Sequence, residues 1–305
     1  MSNLLKSTEQ PCDSSQAEAV SITQVLSPRE ADIGGVIVRR VFPTVGRKMV
    51  GPWVFFDEMG PVEFLPGPGL NVPPHPHIGL ATVTYLFVGE ILHRDSLGSV
   101  QSILPGDVNL MVAGRGIVHS ERETPAAVQQ SRTLHGLQLW LALPEEHETC
   151  EPSFTHIGGE SIPSVEVGEV QVRVIMGEAY GVKSPVPTYS PTLYLEIFMR
   201  EGQQLSLPRT EELGVYVVSG ELQVGETLVP AHTMAILNEP AQVTITVTQA
   251  TRLAVIGGTP LTKRHINWNF VSSSRERIAT AREDWQAGHF PRVPGDEDEC
   301  VPLPK

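Results

Sequence analysis

Along most of the chain, apolar residues recur in short runs rather than at helical spacing. From about Ser21 onward, GGVIVRRVF, TVTYLFVGEILHR, HGLQLWLAL, VQVRVIMGE, TLYLEIFM, LGVYVVSGELQVG and VTITVTQATRLAVIGG follow one another. They are rich in β-branched residues, partly alternating, and broken by turn signals such as Pro105-Gly106-Asp107 and Gly158-Gly159. Runs of this kind predict strands. Upstream of residue 270 almost nothing has a helical period. Downstream, Ser274–Trp285 carries good helix formers, with Ser273 or Ser274 as the N-cap and Ile278, Ala281 and Trp285 on one face. That face should pack on a barrel.

One segment echoes another. Thr84–Ile91 (TYLFVGEI) resembles Val215–Leu222 (VYVVSGEL), and each leads through a Pro-containing turn into a further apolar strand. Repeats about 130 residues apart suggest a duplicated β-barrel or sandwich, because the repeat length matches an ordinary domain. The expected division is a frayed N-terminus (1–20), a first barrel (21–145), a second barrel (146–262), and a helix with an acidic tail (263–305). Val182–Pro191, with three prolines, reads as a linker between the repeats. Gly295–Glu299 reads as solvated surface.

Composition narrows the chemistry. The 305 residues suffice for two domains, and 40 % hydrophobic content suffices for their cores. With 22 basic against 35 acidic residues, the formal charge is −13, the wrong sign for a phosphate backbone. Arg39-Arg40 and Arg47-Lys48 read as solvated surface pairs, so any role near DNA would run through a protein partner. Cys12, Cys150 and Cys300 are odd in number, far apart and outside any CxxC, which indicates neither a disulfide framework nor a zinc ribbon. The first twenty residues lack the apolar core of a signal peptide, and no run approaches membrane-span length. A cytoplasmic location is the expectation.

Five of the ten histidines fall between His75 and His135. His75-Pro76-His77 and His119-Ser120-Glu121 each place two donors at i and i+2, on one face of a strand. If the two strands face each other across a barrel, four N and O donors converge, a set suited to a first-row divalent ion. An isolated HxH is more often a surface pair or a satisfied core group. Pro76 also argues for an edge or a bulge, since it cannot donate to a ladder. His93 and Asp95 repeat the i, i+2 spacing and read as supporting groups or turn residues, and His135 reads as a supporting group or simply core. Gly114-Arg115-Gly116 lacks the Lys-Ser/Thr and the helix of a phosphate loop and reads as a tight turn aiming His119 inward. No GxSxG elbow or Ser-His-Asp order occurs. Asp57-Glu58 reads as a structural turn, with a gate at a pocket mouth as the alternative.

Gly69, five residues, His75-Pro76-His77, four residues, Thr82, six residues and Gly89 reproduce the first motif of the cupin superfamily, with Thr82 where a glutamate usually stands. Phe55-Phe56-Asp57-Glu58, His75–Gly79, Thr82–Leu86, Ala113–Glu121 and His135–Trp140 resemble the N-terminal domain of the pirin family. Gly177–Ala179 and Thr192–Leu195 carry the resemblance into the second half.

The resemblance implies an all-β fold of two tandem cupin barrels. It also implies one divalent metal, Fe(II) first and then Mn, Ni, Cu or Zn, held by His75, His77, His119 and Glu121. In the second barrel, Ser206, Pro208 and Leu213 stand at the positions matching His75, His77 and Thr82. That barrel is expected to be metal-free, with His232 structural.

Two functions are compatible with this site. One is a quercetin 2,3-dioxygenase acting on a flavonol and dioxygen, with Glu121 as ligand and as the base that takes the substrate's hydroxyl proton. The other is a redox-sensing regulator that docks a transcription factor or metabolic enzyme. An enzyme requires an apolar pocket reaching the metal from solvent; Val54, Phe56, Val72 and Met111 are candidate walls, with core packing the alternative.

Overall fold

A computed structural model describes residues 22–33, 35–237 and 243–304. The N-terminal segment expected to be frayed, with Cys12, lies outside them. Among the described residues strands dominate, and there is one α-helix, Arg275–Gln286.

Each repeat forms a barrel from a seven-stranded and a four-stranded antiparallel sheet. In the first barrel the large sheet runs Ser153–Ile157, Val108–Val112, Leu80–Val88, Arg132–Ala142, Trp53–Phe64, Val36–Phe42, Arg29–Ile33. The small one runs Val72–His77, Ile117–Arg122, Ile91–Asp95, Val100–Ile103. The second barrel repeats the plan. Ile22–Leu26, Met234–Leu237, Glu212–Ser219, Thr251–Gly258, Thr192–Met199, Val170–Met176 and Ser164–Val167 form its large sheet. Gln204–Ser206, Thr244–Val247, Glu221–Val224 and Thr227–Pro230 form its small one.

The expected boundaries need two corrections. The barrels exchange strands: Ile22–Leu26 pairs with Met234–Leu237 of the second barrel, and Ser153–Ile157 pairs with Val108–Val112 of the first. Each exchanged strand covers a sheet edge that would otherwise expose unpaired backbone groups. Val182–Pro191 is no linker, because Val182–Lys183 pairs with Glu178–Ala179 and Ser184 Oγ donates to the Ile175 carbonyl, all inside the second unit. The chain leaves the first barrel after Ala142, through the turn at Glu145–His147.

The near-continuous apolar runs arise because both faces of the large sheets are buried. In Arg132–Ala142, Leu137, Leu139 and Leu141 face a central cluster between the barrels, while Gln138 and Trp140 lie on the opposite face. In Leu80–Val88, Ala81, Val83, Tyr85 and Phe87 belong to that same central cluster, and Thr82, Thr84 and Leu86 point the other way. From the second barrel Tyr194, Tyr216, Val218, Ala254 and Ile256 meet them. Burying one such aromatic or aliphatic side chain is worth about 1.5–3 kcal/mol, so this shared core binds the two barrels tightly.

Two polar clamps, related by the duplication, cross that interface. Glu58, fully buried, accepts from Tyr216 of the second barrel at 2.7 Å and also meets His135, His232 and, at 3.4 Å, Arg39. Glu196 of the second barrel accepts from Tyr85 of the first at 2.5 Å and meets Arg252 at 3.1 Å, while Arg173 donates to the Tyr85 hydroxyl at 2.9 Å. His232 thus has the expected structural role, and His135 serves the interface rather than the histidine cluster. Arg39 and Arg40 are ion-paired with Glu58 and Asp57, and Arg47 with Glu212; these arginines are not free surface charges.

Ser274 is the N-cap of the helix, accepting from the Arg277 backbone N–H at 3.3 Å. Ile278 and Ala281 are buried with Ile78 and Phe270, and Trp285 packs beside them. A hairpin before the helix, His265–Asn267 with Phe270–Ser272, docks on the end of the His75–His77 strand through the Val271 N–H to Ile78 carbonyl bond. Gly79 makes this approach possible: its φ is +67°, and a side chain there would collide with the Val271 carbonyl.

Each clamp tyrosine donates a charge-assisted bond to a buried carboxylate, and such a bond is worth about 1.5–3 kcal/mol. Tyr85→Phe and Tyr216→Phe should each lower stability by about that amount. Urea midpoints followed by circular dichroism would measure the loss, with the folded spectrum unchanged.

Candidate metal centre

The two histidine patterns lie on hydrogen-bonded neighbours, not across the barrel from one another. Strand Val72–His77 pairs with Ile117–Arg122, setting His119 directly opposite His75 and Ile117 opposite His77. Val72–His77 is the edge of its sheet, and the register slips by one residue between His119 and Glu121, where Pro73 and Pro74 stand. A strand carrying Pro73, Pro74 and Pro76 cannot complete a two-sided ladder, so the edge and the bulge follow from the sequence. At the other end, Gly114 and Gly116 close a turn, with Gly116 N–H donating to the Ala113 carbonyl; the stretch is the tight turn expected.

His75, His77 and His119 are all buried, each offering a ring nitrogen within 4.8 Å of the others. The surroundings fix their tautomers. His75 Nδ1 lies 2.8 Å from the Pro73 carbonyl and His77 Nδ1 3.1 Å from that of Asn269. A carbonyl can only accept, so both Nδ1 atoms carry the proton and both Nε2 atoms present lone pairs. His77 Nε2 is 3.1 Å from His119 Nε2, while His119 Nδ1 is buried without a partner among the described residues. Either His119 donates to His77 and leaves a buried lone pair unsatisfied, or two lone pairs face each other. A cation among the three ring nitrogens relieves the facing lone pairs and leaves the proton of His119 on Nδ1. Burial holds His75 down to about 4, and burial with neighbouring imidazoles pushes His77 and His119 well below the ordinary value, so all three are neutral ligands at physiological pH. The triad fits a metal ion.

Glu121 is not within that 4.8 Å group. It lines the same cavity as His75 and His77, with Oε1 accepting from Gln138 Nε2 at 3.1 Å; Gln138 in turn accepts from Thr84 Oγ1 at 2.7 Å. Burial pushes the Glu121 carboxyl up to about 7, against the lowering effect of Gln138.

Other expected residues sort themselves around this centre. His93 sits on the strand beside His119, bonded to Asp95 at 3.1 Å and stacked 4.3 Å from Phe154 of the exchanged strand. Asp95 caps the following turn through the Leu97 and Ser99 N–H groups. Of the four proposed pocket walls only Val72 lines the cavity. Alternation turns Phe56 into the central cluster, whereas Met111, on the same sheet face as Trp140, and Val54 are packed within the core group that also holds Phe55 and Trp140 and do not reach the cavity. The acidic tail is not merely solvated. Arg122 grips Asp296 through two bonds of 3.0 and 2.7 Å and Glu299 at 2.9 Å, and the Val301 N–H donates to the Pro74 carbonyl. Trp268, Asn269 and Val301 complete the cavity wall. No local pattern marks them, since one contributes a backbone carbonyl and all arrive from the far end of the chain.

In the second barrel the strand pair Gln204–Ser206 and Thr244–Val247 takes the place of the histidine-bearing pair. Following its ladder, Leu207, Val243 and Ile245 stand where His75, His119 and Glu121 stand, one residue along from the expected Ser206. All three belong to that barrel's apolar core.

Comparison with known proteins agrees with this architecture. The Pirin family model matches residues 35–141 and that of the pirin C-terminal cupin domain residues 194–291. The chain belongs to the pirin family. It is 44 % identical over 289 residues to a pirin-like protein of Caulobacter vibrioides, covering 93 % of this chain and 100 % of the other. Human pirin is 35 % identical over 276 residues, covering 86 % of this chain and 90 % of the other. Among solved structures, a quercetin 2,3-dioxygenase from Acinetobacter baumannii is 33 % identical with a TM-score of 0.86, covering 92 % of this chain and 95 % of the other. Among the described residues of this pirin, no helix is long and apolar enough to cross a membrane.

Glu121 makes this pirin's stability pH-dependent. The folded carboxyl keeps its proton up to about pH 7, whereas an unfolded glutamate loses it near pH 4.5. Stability of the metal-stripped chain therefore falls as pH rises through that window and stays reduced above it. Glu121→Gln should be more stable than the parent at pH 8 by about 1–3 kcal/mol and equal to it at pH 4, as read from thermal midpoints in chelator.

Proposed function

We propose that this pirin is a metal-dependent dioxygenase of the quercetin 2,3-dioxygenase type, with His75, His77, His119 and Glu121 holding one divalent ion, Fe(II) first. The observation that carries the reading is a cavity of about 350 Å³ that runs to His75, His77 and Glu121 between Phe55, Trp140 and Trp268. A redox sensor has no need of an aromatic slot at its metal; an enzyme acting on a flat phenolic substrate does.

When bound, the ion would supply Lewis-acid and redox chemistry at the substrate's enol oxygen. The protein residues do the rest. Phe55 and Trp140, stacked 3.9 Å apart, form a rigid aromatic pair in the cavity wall, and Trp140 and His77 meet at 5.0 Å in a T-shaped contact. Glu121, its carboxyl raised towards neutrality and oriented by Gln138, is suited to accept the proton of a flavonol 3-hydroxyl. Val301 and Trp268 add apolar surface to the cavity wall. The overall change balances as flavonol plus O2 giving a depside and carbon monoxide, with carbon 3 leaving as CO.

Protein reconstituted separately with Fe(II), Mn(II), Ni(II) or Cu(II) should hold one equivalent of metal and consume oxygen with quercetin, releasing carbon monoxide. One equivalent without turnover for any metal would move the function to the alternative regulatory role, with a protein partner. His75→Ala and Glu121→Ala should each cut metal content strongly while the second barrel stays folded. Full occupancy in both variants, by elemental analysis, would refute the ligand set.

A further inference from the structure

The cavity wall contains a charged pair that metal binding does not use. Asp57 is fully buried, and Arg40 grips it through two parallel bonds, Nε to Oδ1 at 2.8 Å and Nη2 to Oδ2 at 2.7 Å. Both residues line the cavity. Burial raises the Asp57 carboxyl while Arg40 opposes it. A buried ion pair is a poor source of stability, since desolvation offsets most of its attraction; its presence at a ligand cavity therefore invites a functional account.

Two donors of this wall lack acceptors. Arg40 spends Nε and Nη2 on Asp57, and Nη1 has no hydrogen-bond partner among the described residues. The indole N–H of Trp140, a residue 7 % exposed, is buried with no partner. The buried indole N–H without an acceptor costs about 1–3 kcal/mol; Arg40 Nη1 is reached by solvent and is free to take a ligand oxygen. The carboxylates nearby do not answer these donors: both Asp57 oxygens accept from Arg40, Asp32 accepts from the Gly35 N–H, and Glu121 accepts from Gln138. The row is continuous. Arg40 lies 4.4 Å over the Phe55 ring, Phe55 stacks on Trp140, and Trp140 abuts His77. A planar molecule lying across the edges of this row would have one end at the histidines and the other beside the guanidinium.

We propose that Arg40, held in place by Asp57, is the specificity-determining residue of the cavity and takes an acceptor oxygen, phenolate or carboxylate, at the end of a planar aromatic ligand away from the histidines. Asp57 is a positioning residue: it fixes the fork and offsets its charge, so that Nη1 is presented without letting any small anion bind strongly. Phe55 and Trp140 select flatness; Arg40 selects the oxygen. The inference deepens the dioxygenase reading and rests on it for the placement of the reacting end at the histidines.

The test is calorimetric binding to the full-length chain, both Ni(II)-loaded and metal-stripped, which needs no turnover. The probes are quercetin against 3-hydroxyflavone, which lacks the distal hydroxyls, and 2-naphthoate against 2-methylnaphthalene. The parent should bind the oxygen-bearing member of at least one pair tenfold or more tighter. Arg40→Met should abolish that preference while leaving the affinity for the unsubstituted member unchanged. Because Arg40→Met leaves Asp57 unpaired, the double variant Arg40→Gln/Asp57→Asn, which keeps a bonded amide pair, should give the same loss. Retention of the preference in both variants, or no preference in the parent for either pair, overturns the inference. Naphthoate discrimination lost on mutation, with flavonols failing to bind the parent, would uphold Arg40 and refute the flavonol reading alone.

Discussion

The packing of the two large sheets against each other is the constraint on which the rest depends. Trp53, Phe56, Tyr85, Tyr194 and Tyr216 meet between the barrels and are essentially inaccessible to solvent. Their burial lets the first barrel keep an interior that would be unstable alone: three neutral imidazoles, Thr84, Gln138 and a carboxylate with a raised pKa. The second barrel bears the opposite load. Its interior is aliphatic, with Leu205, Leu207, Val215, Val217 and Ile245 where its twin carries polar side chains. Duplication has thus separated stability from chemistry.

The interface is specific as well as adhesive. Apolar packing alone tolerates sliding, whereas Glu58 with Tyr216 and Glu196 with Tyr85 fix one relative placement by buried bonds that no other register satisfies. The same logic recurs at the metal centre. His75 and His77 are oriented by backbone carbonyls, and one of those carbonyls belongs to Asn269, on a hairpin almost two hundred residues away. The C-terminal segment is therefore part of the cavity: its hairpin orients His77, and its tail, pinned through Asp296 to Arg122, lines the wall with Val301. The acidic tail looked solvated because a charge run carries no sign of its partner; only the fold brings Arg122 within reach.

Much of this was legible in the residues themselves. Strand-length β-branched runs and the TYLFVGEI–VYVVSGEL echo implied a duplicated β architecture, and the i, i+2 spacing of His75–His77 and His119–Glu121 implied donors sharing a strand face, of which the three histidines come together, because side-chain alternation in a strand is a local property. Pro76 pointed to an edge or a bulge for the same reason, and the structure has the edge, with the bulge at Pro73-Pro74. Ser274 as N-cap and the Ile278–Ala281 face followed from helical geometry. What local pattern could not carry was pairing between distant segments: the exchange of Ile22–Leu26 and Ser153–Ile157, the adjacency rather than opposition of the two ligand strands, and the contribution of Trp268, Asn269 and Val301. Which face of an apolar strand looks inward was equally hidden. Phe56 and Met111 are as hydrophobic as any pocket wall; register turned Phe56 away, whereas Met111, on the same face as Trp140, is taken up in core packing short of the cavity. The sequence by itself determined the elements and the donor chemistry, since these depend on neighbours in the chain. Tertiary structure decided the strand exchange, the tautomers and the cavity wall, since these depend on backbone groups and burial that no single segment encodes.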